Sequence, residues 1–161
     1  MSYVAPPSVV KLCAEIVIKR YRDAGLCEQE ARWYRAVPWA CPEVIAIDGP
    51  DLVTKRYKTA WETPQWRDPK AIVELLTKVH EAGIAHRDVH LRNIVIVEGK
   101  PRLIDWFTAM YHEGGVSYDL HGEPAGLERP IGHLDFQSWD TPNPFSIKEA
   151  WGVELSTYLE Q

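Results

Sequence analysis

Long apolar runs, paired cysteines and early glycines are all missing from this chain of 161 residues. No stretch approaches the roughly 20 apolar residues of a membrane-spanning helix, so no membrane span is expected. Cys13, Cys27 and Cys41 are widely spaced and form no C-x-x-C pair. That argues against a disulfide framework and against a structural zinc site, and favours reduced thiols in a cytoplasmic protein. The start, Met1 to Pro7, has neither a basic n-region nor an apolar h-region, so no secretory signal is expected. Lys and Arg number 18 against 23 Asp and Glu, a net charge of −5, and no long basic run occurs. Nucleic acid is therefore not an expected partner. There is no internal repeat or low-complexity tract, and no glycine precedes Gly25.

What is present fits a globular protein. Hydrophobic residues make up 45%, with seven Trp and seven Tyr, and the length suffices for one compact unit or two small lobes with a buried core. Val9–Cys13 and Glu15–Tyr21 read as two strands joined by a tight turn. Cys27–Val37 reads as a helix, with Leu26, Ala31, Tyr34 and Val37 spaced to share a face, closed by Pro38 and Pro42. Val44–Ile47 and Leu52–Tyr57 read as strands around the turn Asp48-Gly49-Pro50-Asp51. Lys58–Arg67 reads as a connection. Asp68-Pro69 is a good helix start, Ile72, Leu75, Leu76 and Val79 form the helix's apolar stripe, and Gly83 ends it. From Trp106 to Pro144 periodicity disappears, and a loop of that length is usually functional or mobile. A last helix is expected over 145–159, capped by Ser146.

Residues 81–106 carry the most chemistry. Asn93 follows Asp88 by five positions, so a short loop can present both side chains to one site. Ile94–Val97 reads as a strand, Glu98–Pro101 as a turn and Arg102–Ile104 as a returning strand. Such a hairpin brings Asp105 out beside Asn93, and two oxygen ligands then converge where Mg2+ can sit.

His86-Arg87-Asp88, Asn93 and Asp105 together resemble the H-R-D-x-x-x-x-N and D-F-G motifs of the protein-kinase-like superfamily, although Asp105-Trp106-Phe107 keeps the aspartate and not the glycine. The resemblance runs from about residue 9 to 107. It implies an α+β, reduced bilobal fold, with a small antiparallel-sheet lobe over 1–57 and a shortened helical lobe over 58–161. The latter would hold the catalytic loop 86–93, the metal-binding segment 102–107 and an activation-segment-like loop 106–144. It also implies ATP and Mg2+, with Asp88 as base and Asn93 and Asp105 as metal ligands. Lys19, ending Ile16-Val17-Ile18-Lys19, is similar to the phosphate-binding lysine, with Lys11 as rival. Glu30 resembles the helix glutamate that pairs with it, with Glu28 as alternative. Lys55 and Tyr57, on the strand leading to the hinge, would meet adenine. Arg87 would steady the activation segment or a phosphorylated residue in it, and His86 would pack and orient the loop.

His90 makes the motif a hybrid. Asp88-Val89-His90-Leu91-Arg92-Asn93 is similar to the D-x-H-x-x-N of phosphotransferases acting on aminoglycosides or choline, as is Leu103-Ile104-Asp105-Trp106. His86-Arg87-Asp88 is the protein-kinase form. The resemblance therefore implies phosphate transfer to a hydroxyl, with a protein Ser or Thr slightly favoured and a small hydroxyl compound close behind. Two departures stand out: the Gly-rich loop is missing, and the acidic residue expected near Ile147 in the central helix of the large lobe is absent. They leave open a partner chain or dimer that completes the site, a reduced enzyme of a compact genome such as a viral one, or a pseudokinase binding module.

Overall fold

The computed structural model describes residues 9–112 and Asp119. The expected helix over 145–159, with its cap Ser146, lies outside the described residues. A four-stranded antiparallel sheet is built from β1 (Val9–Leu12), β2 (Ile16–Arg20), β3 (Val44–Asp48) and β4 (Asp51–Lys55), in the order β1-β2-β4-β3. Lys19 lies opposite Val10 on one side and Leu52 on the other. The β1–β2 turn is closed by the Cys13 N–H donating to Ile16 O at 2.9 Å. It lies at the far end of β2 from Lys19, beside Lys55, so nothing in this turn needs to wrap a phosphate held at Lys19.

Helix α1 (Ala24–Ala36) packs against this sheet. It begins three residues before the expected Cys27, because the Asp23 carboxylate caps it by accepting from the Leu26 N–H. Its inner face buries Cys27, Ala31, Trp33, Tyr34 and one charged residue, Glu30. Burying an ionised carboxylate is costly unless a cation meets it. That constraint points directly to β2 and Lys19.

In the second half, α2 (Pro69–Glu81) starts as its sequence dictates. The Asp68 carboxylate accepts from the Ala71 N–H, and Pro69 takes the first helical position, where a missing N–H costs nothing. Ile72, Leu75, Leu76 and Val79 are buried, and Gly83, at φ +77°, ends the helix in a left-handed turn. Strand β5 (Ile84–Ala85) follows directly and leads into the Asp88 loop. The hairpin of β6 (Ile94–Val97) and β7 (Lys100–Leu103) pairs Ile94 with Leu103. Its turn is two residues long, with Glu98 and Gly99 both at positive φ, the geometry that matches strand twist. This is tighter than the four-residue turn expected from the sequence, and it takes Pro101 into β7. The proline is tolerated because β7 is an edge, with β6 as its only partner among the described strands.

The connection after β4 is zipped onto this hairpin rather than left loose. Ile96 N–H donates to Lys58 O, Ala60 N–H to Ile94 O, and Trp61 N–H to Leu91 O, at 2.8–3.1 Å. The expected loop 106–144 is likewise not uniformly irregular. Met110–Tyr111 forms β8, paired with β5, and Asp119 is helical. A two-residue strand is too short to leave a periodic trace, which is why it escapes a reading of the sequence. Tyr21 stacks on Phe107 (centroids 5.8 Å apart) and Trp33 meets Tyr111 (4.9 Å), joining the sheet region to the segment after Asp105. Among the described residues, no helix is long and apolar enough to cross a membrane.

Candidate active site

Lys19 stands at the centre of the site. The residue is 7% exposed, and its ammonium donates to Glu30 Oε1 at 2.8 Å and also contacts Asp105 Oδ1. Burial alone would lower its pKa, but the Asp105 and Glu30 carboxylates override this and leave it raised, so Lys19 is a fixed cation. Burial pushes the Glu30 carboxyl upward against the pull of Lys19. The two rivals fall away on geometry: Lys11 is exposed on β1, and Glu28 is exposed and paired with Arg35. Lys19→Met would leave Glu30 buried without its cation. The expected loss is about 3 kcal/mol of stability at pH 8, shrinking toward pH 5 as Glu30 takes up a proton, measured by denaturant unfolding at the two pH values.

The Asp88 loop is set by hydrogen bonds from below. His86 is fully buried, its Nε2–H donating to Ile104 O at 2.8 Å while Nδ1 accepts from the Asp88 N–H at 3.2 Å. Burial pushes its pKa down to about 4, so it is neutral, as that pattern requires. Trp106 packs edge-on against its ring at 4.8 Å. Asn93 Nδ2 donates to both Asp88 O and Asp88 Oδ2, at 2.9 and 3.0 Å, and Ile104 N–H donates to Asn93 O at 2.9 Å. The hairpin thus returns Asp105 beside Asn93. Burial, reinforced by the negative charge of Asp105, raises the Asp88 carboxyl to about 8 against the opposing Asn93 bond. Burial would also raise Asp105, but Lys19 overrides it and holds that carboxyl below its ordinary value. Asp105 adopts φ +59°, whereas Phe107 does not have a positive φ, so the turn needs no glycine where D-F-G has one.

His90 and Arg87 sit differently. His90 Nδ1 accepts from the Arg92 N–H at 3.2 Å, and its Nε2 faces Asp88 Oδ1 at 3.6 Å. Arg87 is buried at φ +75°, its guanidinium contacting Met110 Sδ at 3.1 Å, so it touches the segment after Asp105 beneath the loop. The residue that the sequence reading missed is Asp119. Its two carboxylate oxygens accept from the His86 and Arg87 N–H groups at 2.8 Å each. Burial raises its pKa to about 6 even though those two bonds oppose the shift. It ties down the backbone of the loop from a position inside the expected loop 106–144. No local pattern around Tyr118-Asp119-Leu120 marks it, and only the two unmade backbone bonds of the loop reveal its use.

A cavity of about 400 Å³ lies beside Lys19 and Asp105. Val10 and Val17 line it from the sheet, Val95 and Ile104 from the hairpin, and Lys19 and Asp105 stand in the same wall. Lys55 and Tyr57 also line it, with the Lys55 ammonium 5.8 Å from the Tyr57 ring centre. An apolar slot with a few convergent charged groups is the usual form of a nucleotide-sized site.

No protein-family model matches the sequence. A crystal structure of a Stt7 homolog from Micromonas algae, soaked with ATP, is similar in fold, with a TM-score of 0.53 at 16% identity over 73% of this chain. Stt7 is a kinase, so the fold is kinase-like, a mixed α/β fold with a small antiparallel sheet. This chain covers 54% of that protein's length.

Proposed function

We propose that this chain is an ATP-dependent phosphotransferase of reduced bilobal, kinase-like construction that moves the γ-phosphate to a hydroxyl. The observation that carries the reading is that Lys19 from the sheet meets Asp105 from the hairpin end in the wall of one cavity, while the Asp88–Asn93 loop is bonded to the same hairpin end through Ile104 N–H to Asn93 O. The apolar walls take the base, with Lys55 and Tyr57 at its edge. Lys19, positioned by Glu30, meets phosphate oxygens. Asp88 Oδ2 is held by Asn93, which leaves Oδ1 facing His90 to take the proton of the attacking hydroxyl. A carboxylate with a raised pKa is a better base than an ordinary one.

The residues fit a metal ion bound together with phosphate. Asn93 spends its Nδ2 on Asp88, so Oδ1 remains its ligating atom, and Asp105 supplies a second oxygen. Among the described residues no group of three or more His, Cys, Asp or Glu side chains can hold a metal, which suits Mg2+ carried largely by phosphate and water. When bound, Mg2+ would neutralise charge on the phosphates. A protein Ser or Thr is favoured as acceptor over a small hydroxyl compound, and a cytoplasmic setting fits the three free thiols.

Asp105→Ala tests the reading. Titration calorimetry should show ATP binding that strengthens at least about tenfold with Mg2+ in the wild type and loses that dependence in the variant. Equal Mg2+ dependence in both proteins would remove Asp105 from the metal site.

A further inference from the structure

Side chains alternate along a strand, and Lys19, Arg20 and Tyr21 are buried, exposed and buried in turn. The Tyr21 N–H donates to Pro50 O at 2.9 Å, which carries the paired backbone one residue past β2. Tyr21 therefore faces the same interior as Lys19 and is only 2% exposed. Two polar atoms in that interior lack a partner. Glu30 Oε1 holds Lys19, but Glu30 Oε2 and the Tyr21 hydroxyl are buried, and neither makes a hydrogen bond of ordinary length and angle. Buried polar groups left in this way call for an explanation. The two groups do act on each other. Burial raises the pKa of the Tyr21 hydroxyl and the Glu30 charge raises it further, while Tyr21 adds a small downward pull on the Glu30 carboxyl. A phenol that stays protonated can donate to a carboxylate.

The ring of Tyr21 has a second partner. Phe107 stands where D-F-G has its glycine, and the two rings stack with centroids 5.8 Å apart and planes 19° apart. A glycine at that position would offer nothing to stack on. Tyr21 thus joins the helix that carries Glu30 to the turn that carries Asp105. The direct tie between these parts is Lys19, which contacts both carboxylates. A phosphate competes for the Lys19 ammonium and a metal ion competes for Asp105, so nucleotide weakens that tie. The Tyr21–Phe107 stack spends neither group and outlasts the exchange.

We propose that Tyr21 is a positioning residue of the phosphate site: its hydroxyl donates to Glu30 Oε2 when the site is occupied, and its ring on Phe107 fixes the spacing between Lys19 and Asp105. The inference rests on the phosphotransferase reading above and deepens it.

The test follows label from γ-labelled Mg-ATP, with a fixed amount of soluble extract supplying the acceptor. A slightly misplaced Lys19 still attracts the anion but no longer meets the transition state, so the loss falls on rate rather than KM. Tyr21→Phe keeps the ring and loses the hydroxyl. It should lower the rate at saturating Mg-ATP by about tenfold, change KM for Mg-ATP by less than about threefold, and leave the folded fraction as in wild type. Phe107→Leu should lower the same rate, and Phe107→Tyr, which restores a ring to stack, should recover most of it. Tyr21→Leu combined with Phe107→Leu should be no slower than Tyr21→Leu alone, the sign of one shared link. Tyr21→Phe working at the wild-type rate overturns the inference and leaves the phosphotransferase reading standing, as do losses that multiply in the double variant or merely follow the folded fraction. A wild type that transfers no label overturns both.

Discussion

Asp88→Asn should lower phosphate transfer by about 10²- to 10⁴-fold while leaving Mg-ATP affinity within about threefold of wild type. The substitution keeps the oxygen that Asn93 holds, so the loop has no reason to move. What disappears is the acceptor for the hydroxyl proton. Single-turnover transfer and equilibrium ATP titration, run side by side, separate the two quantities. Transfer at full rate would remove Asp88 from the base role.

The same variant has a stability signature with a definite sign. In the folded protein the Asp88 carboxyl titrates at about 8, whereas an unfolded aspartate titrates near 3.9. Between those values the folded form binds more protons than the unfolded one, so this group removes stability as pH rises. Asp88→Asn should therefore melt at the same temperature as wild type near pH 4 and higher than wild type at pH 8, without Mg2+. The site thus trades stability for a reactive carboxylate.

Asp119→Ala carries the second large effect. Two buried backbone N–H groups, on His86 and Arg87, would lose their acceptors at once. Each unsatisfied buried donor costs about 1–3 kcal/mol. Arg87 also sits in left-handed backbone space, which an arginine leaves when released. The expected result is a loss of about 2–6 kcal/mol in urea unfolding and a fall in transfer of about tenfold or more as Asp88 loses its fixed position. Asp119→Asn, which keeps one acceptor oxygen, should fall between the two proteins on both measures. If Asp119→Ala left both stability and transfer unchanged, the loop would be held by something else.

Much of this site can be read along the chain because its parts are local. Asp88 and Asn93 are close in sequence, and a hairpin of two short strands returns Asp105 to them by simple counting. Helix α2 announces itself through Asp68, Pro69 and one apolar stripe. The partnership of Lys19 with Glu30 follows from a long-range constraint, a glutamate on the buried face of α1 that needs a cation. The sequence also offers Glu28 and Lys11 as rivals, and packing removes them. Asp119 is illegible for the same reason: its partners are backbone groups more than 30 residues earlier, and an N–H leaves no mark in a sequence. The missing early glycines have no bearing on the β1–β2 turn. That turn lies beside Lys55, at the far end of β2 from Lys19.

The most direct measurement of the central claim follows γ-labelled phosphate from Mg-ATP into a soluble extract, with Asp88→Asn as control and macromolecules separated from small solutes afterwards. The account predicts label in the protein fraction with the wild type alone. Label gained by neither fraction beyond the control, in a protein that still binds Mg-ATP, would contradict it and leave a binding module in the kinase-like fold.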